Sequence, residues 1–224
     1  MTRIRFQRSL DDLKEKLLVM AGLAEQAIQR AVEAYRTRDL SICDLVSRSE
    51  LAINRLEREI DQSALDLLAM EQPMAIDLRF ILAVIKINGD LERIGDQAAN
   101  IAERAQVMKD TPEISLPIDI QEMGEKTGVM IRTAIQALLE ADARMAETVL
   151  TMDDDVDDMN RAVQAELVEM MQQHPQFSVQ ALTAILISRN LERSGDHATN
   201  IAEDVIFWLR GSDVRHKMSL AEAD

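Results

Sequence analysis

The chain has 224 residues and a formal net charge of −15; apolar residues make up 47%, charged residues 29%, aromatics only 3%, and there is a single cysteine, Cys43. This excess of acid repels nucleic-acid phosphates and anionic lipid surfaces, which argues against DNA, RNA or membrane binding. One cysteine gives neither a disulfide framework nor a thiolate metal site, and Gly and Pro total only 11 residues, which favours helices over strands and hairpins.

The elements follow from the apolar spacing. Arg3, Arg5 and Arg8 open the chain, but no apolar signal segment follows them. Leu10, Leu13, Leu17, Met20, Ala24, Ala27, Ala31 and Ala34 step by three and four, which predicts a first long helix. After a break near residues 38–41, Ile53, Leu56, Ile60 and Leu67 repeat the pattern, and Pro73 stops it. A third helix carries Val84, Ile87, Leu91, Ile94, Ala98 and Ile101 on its seam. The run Phe80–Ile85 is far too short to span a bilayer, so a cytoplasmic protein is expected.

Pro112 and Pro117 interrupt the period, and residues 111–117 are read as a linker. The second half then repeats the plan: a helix over Ile120–Leu139, another over Val149–Met171, a break at Pro175, and a last helix with Ala184, Ile187, Leu191, Ser194, Ala198, Ile201, Val205 and Trp208 on its seam. Gly211 suits the stop, and residues 212–224 are read as a flexible tail. The expected fold is all-α, with six long helices in two tandem, pseudo-symmetric three-helix bundles, residues 1–110 and 118–211.

Leu91–Glu103, LERIGDQAANIAE, returns one hundred positions later as Leu191–Glu203, LERSGDHATNIAE, with ten of thirteen residues unchanged. On a helical wheel Glu92, Asp96, Asn100 and Glu103 fall within about 80° of one another, roughly opposite the core seam. Glu192, Asp196, Asn200 and Glu203 do the same. Carboxylates four apart repel in an isolated helix, so a bound cation is the natural partner for such oxygens: magnesium, manganese, zinc or iron. The alternative is a solvated face that kept its ancestral sequence, but core packing does not explain matched residues that point away from the core.

The middle helices add acids. Asp153 and Asp157 are four apart, and the corresponding pair in the first half is Glu50 and Asn54. Both pairs lie about 80–120° from their seams, a flank from which they can face the repeated stripe. The simpler reading of the Asp153–Asp158 run is favourable charge on the first turn of a helix. Gly95 and Gly195 predict the close approach of a neighbouring helix, and His197 is a weak candidate for a nitrogen ligand because Gln97 holds its place in the first half.

At this point the chain resembles the PhoU family of bacterial phosphate-signalling regulators. The stretches that carry the resemblance are PMAIDLRFILAVIKINGDLERIGDQAANIAER and NLERSGDHATNIAEDVIFWL, and it extends over nearly the whole chain. The resemblance implies metal clusters on E(D)xxxD motifs, which fall here on Glu92/Asp96 and Glu192/Asp196 with Asp153/Asp157 as partner pair; Glu50/Asn54 departs from the motif because Asn54 replaces an acid. It also implies a non-enzymatic negative regulator of the phosphate-starvation response, commonly a homodimer, that couples a phosphate ABC transporter ATPase to a membrane-bound sensor histidine kinase, at the inner membrane only through those partners. A metal-free helical scaffold is the alternative. A carboxylate-bridged metalloenzyme is the weaker rival, because no Glu-x-x-His occurs and the repeated acids face outward.

Overall fold

The computed structural model describes residues 2–116 and 118–212, and shows six long helices with no strand among them. They are α1 (Thr2–Thr37), α2 (Leu40–Glu71), α3 (Ile76–Val107), α4 (Ile120–Glu140), α5 (Ala143–Gln173) and α6 (Ser178–Arg210). A short 3₁₀ turn, Pro175–Phe177, precedes α6. No helix is long and apolar enough to cross a membrane among the described residues. Residues 213–224, most of the expected tail, and Pro117 of the expected linker lie outside the described residues.

The helix ends are set by local chemistry. Asp39, Asp119 and Asp142 cap α2, α4 and α5, each accepting a backbone N–H from the first turn. Arg38 and Ala141 take the left-handed conformation just before two of these caps, closing tight turns at equivalent places in the two halves. Gly211 takes it at the end of α6 and donates to the Phe207 carbonyl at 2.8 Å. One boundary differs from expectation. α5 begins at Ala143, so Asp153 lies ten residues inside the helix, and first-turn charge does not account for the Asp153–Asp158 run.

Each half is a three-helix bundle, and the two halves share one core. Leu13, Leu17, Ile53 and Ile87 of the first belong to the same apolar cluster as Met130, Ile131, Ile187 and Ile201 of the second. α3 packs along α6 and α1 against α4, while α2 and α5 lie on the outside. α3 and α6 are antiparallel. Phe80 stacks obliquely on Trp208, Lys86 reaches Asp204 at 2.8 Å, and His197 Nδ1 lies 2.9 Å from Asp90 Oδ1. The segment between the halves is tied down as well: Arg38 donates to the Thr111 carbonyl at 2.6 Å, Gln180 to the Pro112 carbonyl at 3.2 Å, and Leu116 and Ile118 rest on the core.

The two repeated glycines meet their neighbours differently. A Cβ on Gly95 would come within 2.9 Å of Ile53 Cδ1 and 3.3 Å of its Cγ2, and Ile53 is fully buried. On Gly195 it would meet Asp153 Oδ1 and Met130 at an ordinary 3.6 Å. Replacing glycine by alanine in a helix gains about 1 kcal/mol, whereas overpacking a filled core costs about 1–3 kcal/mol. We therefore expect Gly195→Ala to raise the melting temperature by about 2–4 °C and Gly95→Ala to lower it. A Gly95→Ala protein as stable as wild type would show that α2 and α3 are not packed this closely.

Candidate metal centre

Asp153 and Asp157 stand one turn apart on α5. Asp196 of α6 faces them across the α5/α6 contact, where the Asp153 carboxylate packs beside Gly195 at ordinary van der Waals distance. One oxygen from each of the three carboxylates lies within 4.8 Å of the others; among the described residues this is the one such group of acids, cysteines or histidines. Glu192 sits a turn before Asp196 and feels the same charges. The site is half-buried at Asp153 and Asp157 and open to solvent at Asp196.

The electrostatics follow from three like charges in partial shelter. Burial, then the Asp196 and Asp157 carboxylates, push Asp153 up to about 6, opposed by a hydrogen bond from Thr199. Burial and Asp157 raise Asp196, against the pull of His197 and Arg193. Burial, Asp196 and Asp157 raise Glu192. Arg161 offsets part of this charge by reaching Asp157 at 3.4 Å, but its closer partner is Asp158 at 2.5 Å. The centre remains a cluster of oxygens suited to a hard or borderline cation.

In the first bundle the same positions are arranged otherwise. Glu92 is raised by burial, by Asp96 and then by Glu57. Glu50 accepts the Asn54 amide at 3.2 Å, and Asn54 Oδ1 is buried without a hydrogen-bond partner. Glu57 is the acid that reasoning from the sequence missed. Matching the αL–Asp turns before α2 and α5 sets a register of 103 residues, in which Glu50, Asn54 and Glu57 stand where Asp153, Asp157 and Asn160 stand. Amide and carboxylate have exchanged places one turn apart, so each bundle keeps four acids: Glu50, Glu57, Glu92 and Asp96, against Asp153, Asp157, Glu192 and Asp196. That register was the available signal.

The remaining stripe residues do not join the three carboxylates. Asn200 donates to Asp90 Oδ1 at 3.3 Å, and His197 is turned to the same acid, so both serve the contact between α3 and α6. Glu203, with Arg193 and Asn200, lines a cleft of about 380 Å³ that opens beside Asp196. Asn100 and Glu103 are exposed on α3.

The PhoU domain model matches residues 17–105 and 120–205. The phosphate-specific transport system accessory protein PhoU homologue of Pseudomonas aeruginosa is 38% identical over 213 residues, 95% of this chain and 88% of that protein. The homologue of Caulobacter vibrioides is 34% identical over 93% of this chain and 91% of its own length. The crystal structure of PhoU from Pseudomonas aeruginosa superimposes with a TM-score of 0.89 at 37% identity, covering 92% of this chain and 100% of that one. The phosphate transport system regulatory protein PhoU of Streptococcus pneumoniae does so with a TM-score of 0.86 at 25% identity, covering 93% and 99%.

The raised Asp153 carboxyl has a definite consequence for stability. Its folded pKa of about 6 exceeds its ordinary 3.8, so the charged form opposes folding at pH 7, and that penalty is relieved as the pH falls from about 6 toward 4. Asp153→Asn removes it. A shift of this size corresponds to about 3 kcal/mol, and screening at a half-exposed site reduces this to about 1 kcal/mol. In chelator at pH 7, Asp153→Asn should melt about 2–4 °C higher than wild type, with the gap closing at pH 4.5. A variant less stable than wild type at pH 7 would mean that the carboxylate is already compensated.

Proposed function

The chain belongs to the PhoU family, and on that premise we infer that it is an accessory protein of a phosphate transport system that acts as a negative regulator of the phosphate-starvation response. In this reading it couples the ATPase of a phosphate ABC transporter to a sensor histidine kinase, through acidic helix surfaces that hold metal ions. It is not an enzyme, it works at the cytoplasmic side of the membrane through its partners, and it acts as a homodimer.

The observation that carries the metal part is the convergence of Asp153, Asp157 and Asp196 from two helices, with Glu192 alongside. A di- or trivalent ion, whether iron, zinc, manganese or magnesium, would neutralise charges that otherwise repel. Bound there, it would lock α5 to α6 and change the face that a partner meets from anionic toward neutral. The regulatory part is supported by the relatives, which are named as accessory and regulatory proteins of phosphate transport.

Two measurements test the reading. Titrating manganese or zinc into chelated protein to a hundred times its dissociation constant should stabilise the fold by about 2.7 kcal/mol, a rise of about 5–10 °C in melting temperature, and Asp157→Asn with Asp196→Asn should abolish most of it. An unchanged melting curve in wild type would favour the metal-free scaffold. In cells, Glu192→Ala with Asp196→Ala should derepress phosphate-responsive genes severalfold at high phosphate while leaving the protein folded. Full repression by that variant would remove the acidic face from the signalling role.

A further inference from the structure

Each bundle carries a second feature on the groove that holds its acids. On α3 the positions Leu78, Leu82, Ile85, Gly89, Glu92 and Asp96 follow one another at steps of four and three, so they form a single stripe that is apolar at one end and acidic at the other. The bond from Asn88 to the Glu57 carbonyl at 3.0 Å sets the register of α2 on α3, which brings Leu65 and Leu68 level with Leu82. In the second bundle Ser188 donates to Asn160 at 3.0 Å, and that register brings Val168 close to the level of Leu182, with Met171 and Ile185 about a turn to either side.

The two apolar patches match position by position. Leu68, Ile85, Met171 and Ile185 rest partly buried on the core. Above them stand Leu65, Leu82, Val168 and Leu182, with relative exposures of 57%, 39%, 48% and 49%. Shared ancestry alone does not explain this. α2 and α5 keep only Val46/Val149 and Arg58/Arg161 identical in this register, and other exposed apolar positions of α2 were not retained: Leu45, Leu51 and Met70 stand where Thr148, Asp154 and Gln173 do. An outward-facing aliphatic side chain contributes little to folding, so keeping one at both Leu65/Val168 and Leu82/Leu182 calls for something that covers it.

The charge around both patches points to the occupant. Between Arg58 and Lys86 there are five acids, and the one basic residue, Arg79, donates its Nε to the Trp208 carbonyl at 3.1 Å. Between Arg161 and Arg189 there are Glu166 and Glu169 and no Lys or Arg. We propose that the apolar groove of each bundle, Leu65–Leu82 on one and Val168–Leu182 on the other, docks an amphipathic basic helix of a partner protein that presents two copies of it. Two copies follow from the fold. The pseudo-twofold axis passes through both the α3/α6 and the α1/α4 contacts, so the two grooves open on the same side. Leu82 and Leu182 lie about 12 residues either side of the point where α3 and α6 cross, which separates the grooves by roughly 36 Å along the helix axes. Joining two patches on one partner adds avidity beyond either contact alone. Leu82 and Leu182 lie ten residues, about 15 Å, from Glu92 and Glu192, so occupancy does not require a bound metal.

The test uses the full chain and a synthetic amphipathic helix with leucines on one face and lysines on the other, both singly and as a flexibly linked tandem. The tandem should bind at least tenfold more tightly than the single peptide, and Leu82→Glu with Leu182→Glu should weaken it at least tenfold without lowering the melting temperature. Leu65→Gln with Val168→Gln checks the other wall of each groove and should weaken it in the same way. Equal binding of a serine-for-leucine peptide of the same charge would overturn the proposal, since attraction would then be charge alone. So would unaltered tandem binding by the variants, dissociation of a homodimer by the same substitutions, or their loss of binding to anionic vesicles.

Discussion

The antiparallel packing of α3 on α6 is the constraint on which the rest of the structure depends. Both helices carry the repeated stretch, so each presents nearly the same residues, yet the polar contacts across the seam rest on positions where the copies differ, Asp90 and His197 in one case and Lys86 and Asp204 in the other. The seam holds Asp90 between His197 and Asn200, and Lys86 against the buried Asp204. The pseudo-equivalent positions are Asn190, Gln97 and Asn100 in the first case, and Leu186 with Arg104 in the second. A buried carboxylate is tolerated only where donors surround it, and Asp90 has two within 3.3 Å. These contacts fix the register of one half on the other, and with it the direction in which both outer grooves open.

That register leaves the opposite flank of each repeated stretch facing its own middle helix. On the second half, the packing of α5 on α6 brings Asp153, Asp157 and Asp196 together. Long helices suit this task, because a carboxylate ten residues from a helix end is held by packing on both sides. The cost is electrostatic: burial and neighbouring carboxylates raise the proton affinity of Asp153, Asp196 and Glu192, and a multivalent cation would offset that repulsion. The first half keeps the same number of acids, with an amide and a carboxylate exchanged between positions 54 and 57. The two halves are thus alike in charge and unlike in geometry.

Much of this was legible in the sequence, and the exceptions have physical reasons. Six helices and their halves follow from apolar period and from Pro73 and Pro175, and the facing of Asp153 and Asp157 toward the repeated stripe follows from the wheel. The start of α5 was not legible because Ala141 adopts a left-handed conformation that usually marks glycine, and Asp142 is a cap hidden among many acids. The shared core was not legible because a seam pattern does not say which bundle its far edge meets. Asn200 shares a flank with Glu192 on the wheel, but only the position of α3 shows that its amide turns to Asp90. Glu57 was overlooked because α2 and α5 have diverged so far that their alignment had to come from the turns that precede them.

Under the proposed function the two halves would hold one ancestral cation site in two different states, gathered at Asp153, Asp157 and Asp196 in the second half and rearranged around Glu57 in the first. Anomalous diffraction from crystals soaked at a series of manganese concentrations tests it most directly. The account predicts a first peak among Asp153, Asp157 and Asp196, with any peak beside Glu92 and Asp96 filling only at higher concentration. Equal filling of both halves at every concentration, or strong peaks remote from Asp153, Asp157 and Asp196, would contradict it.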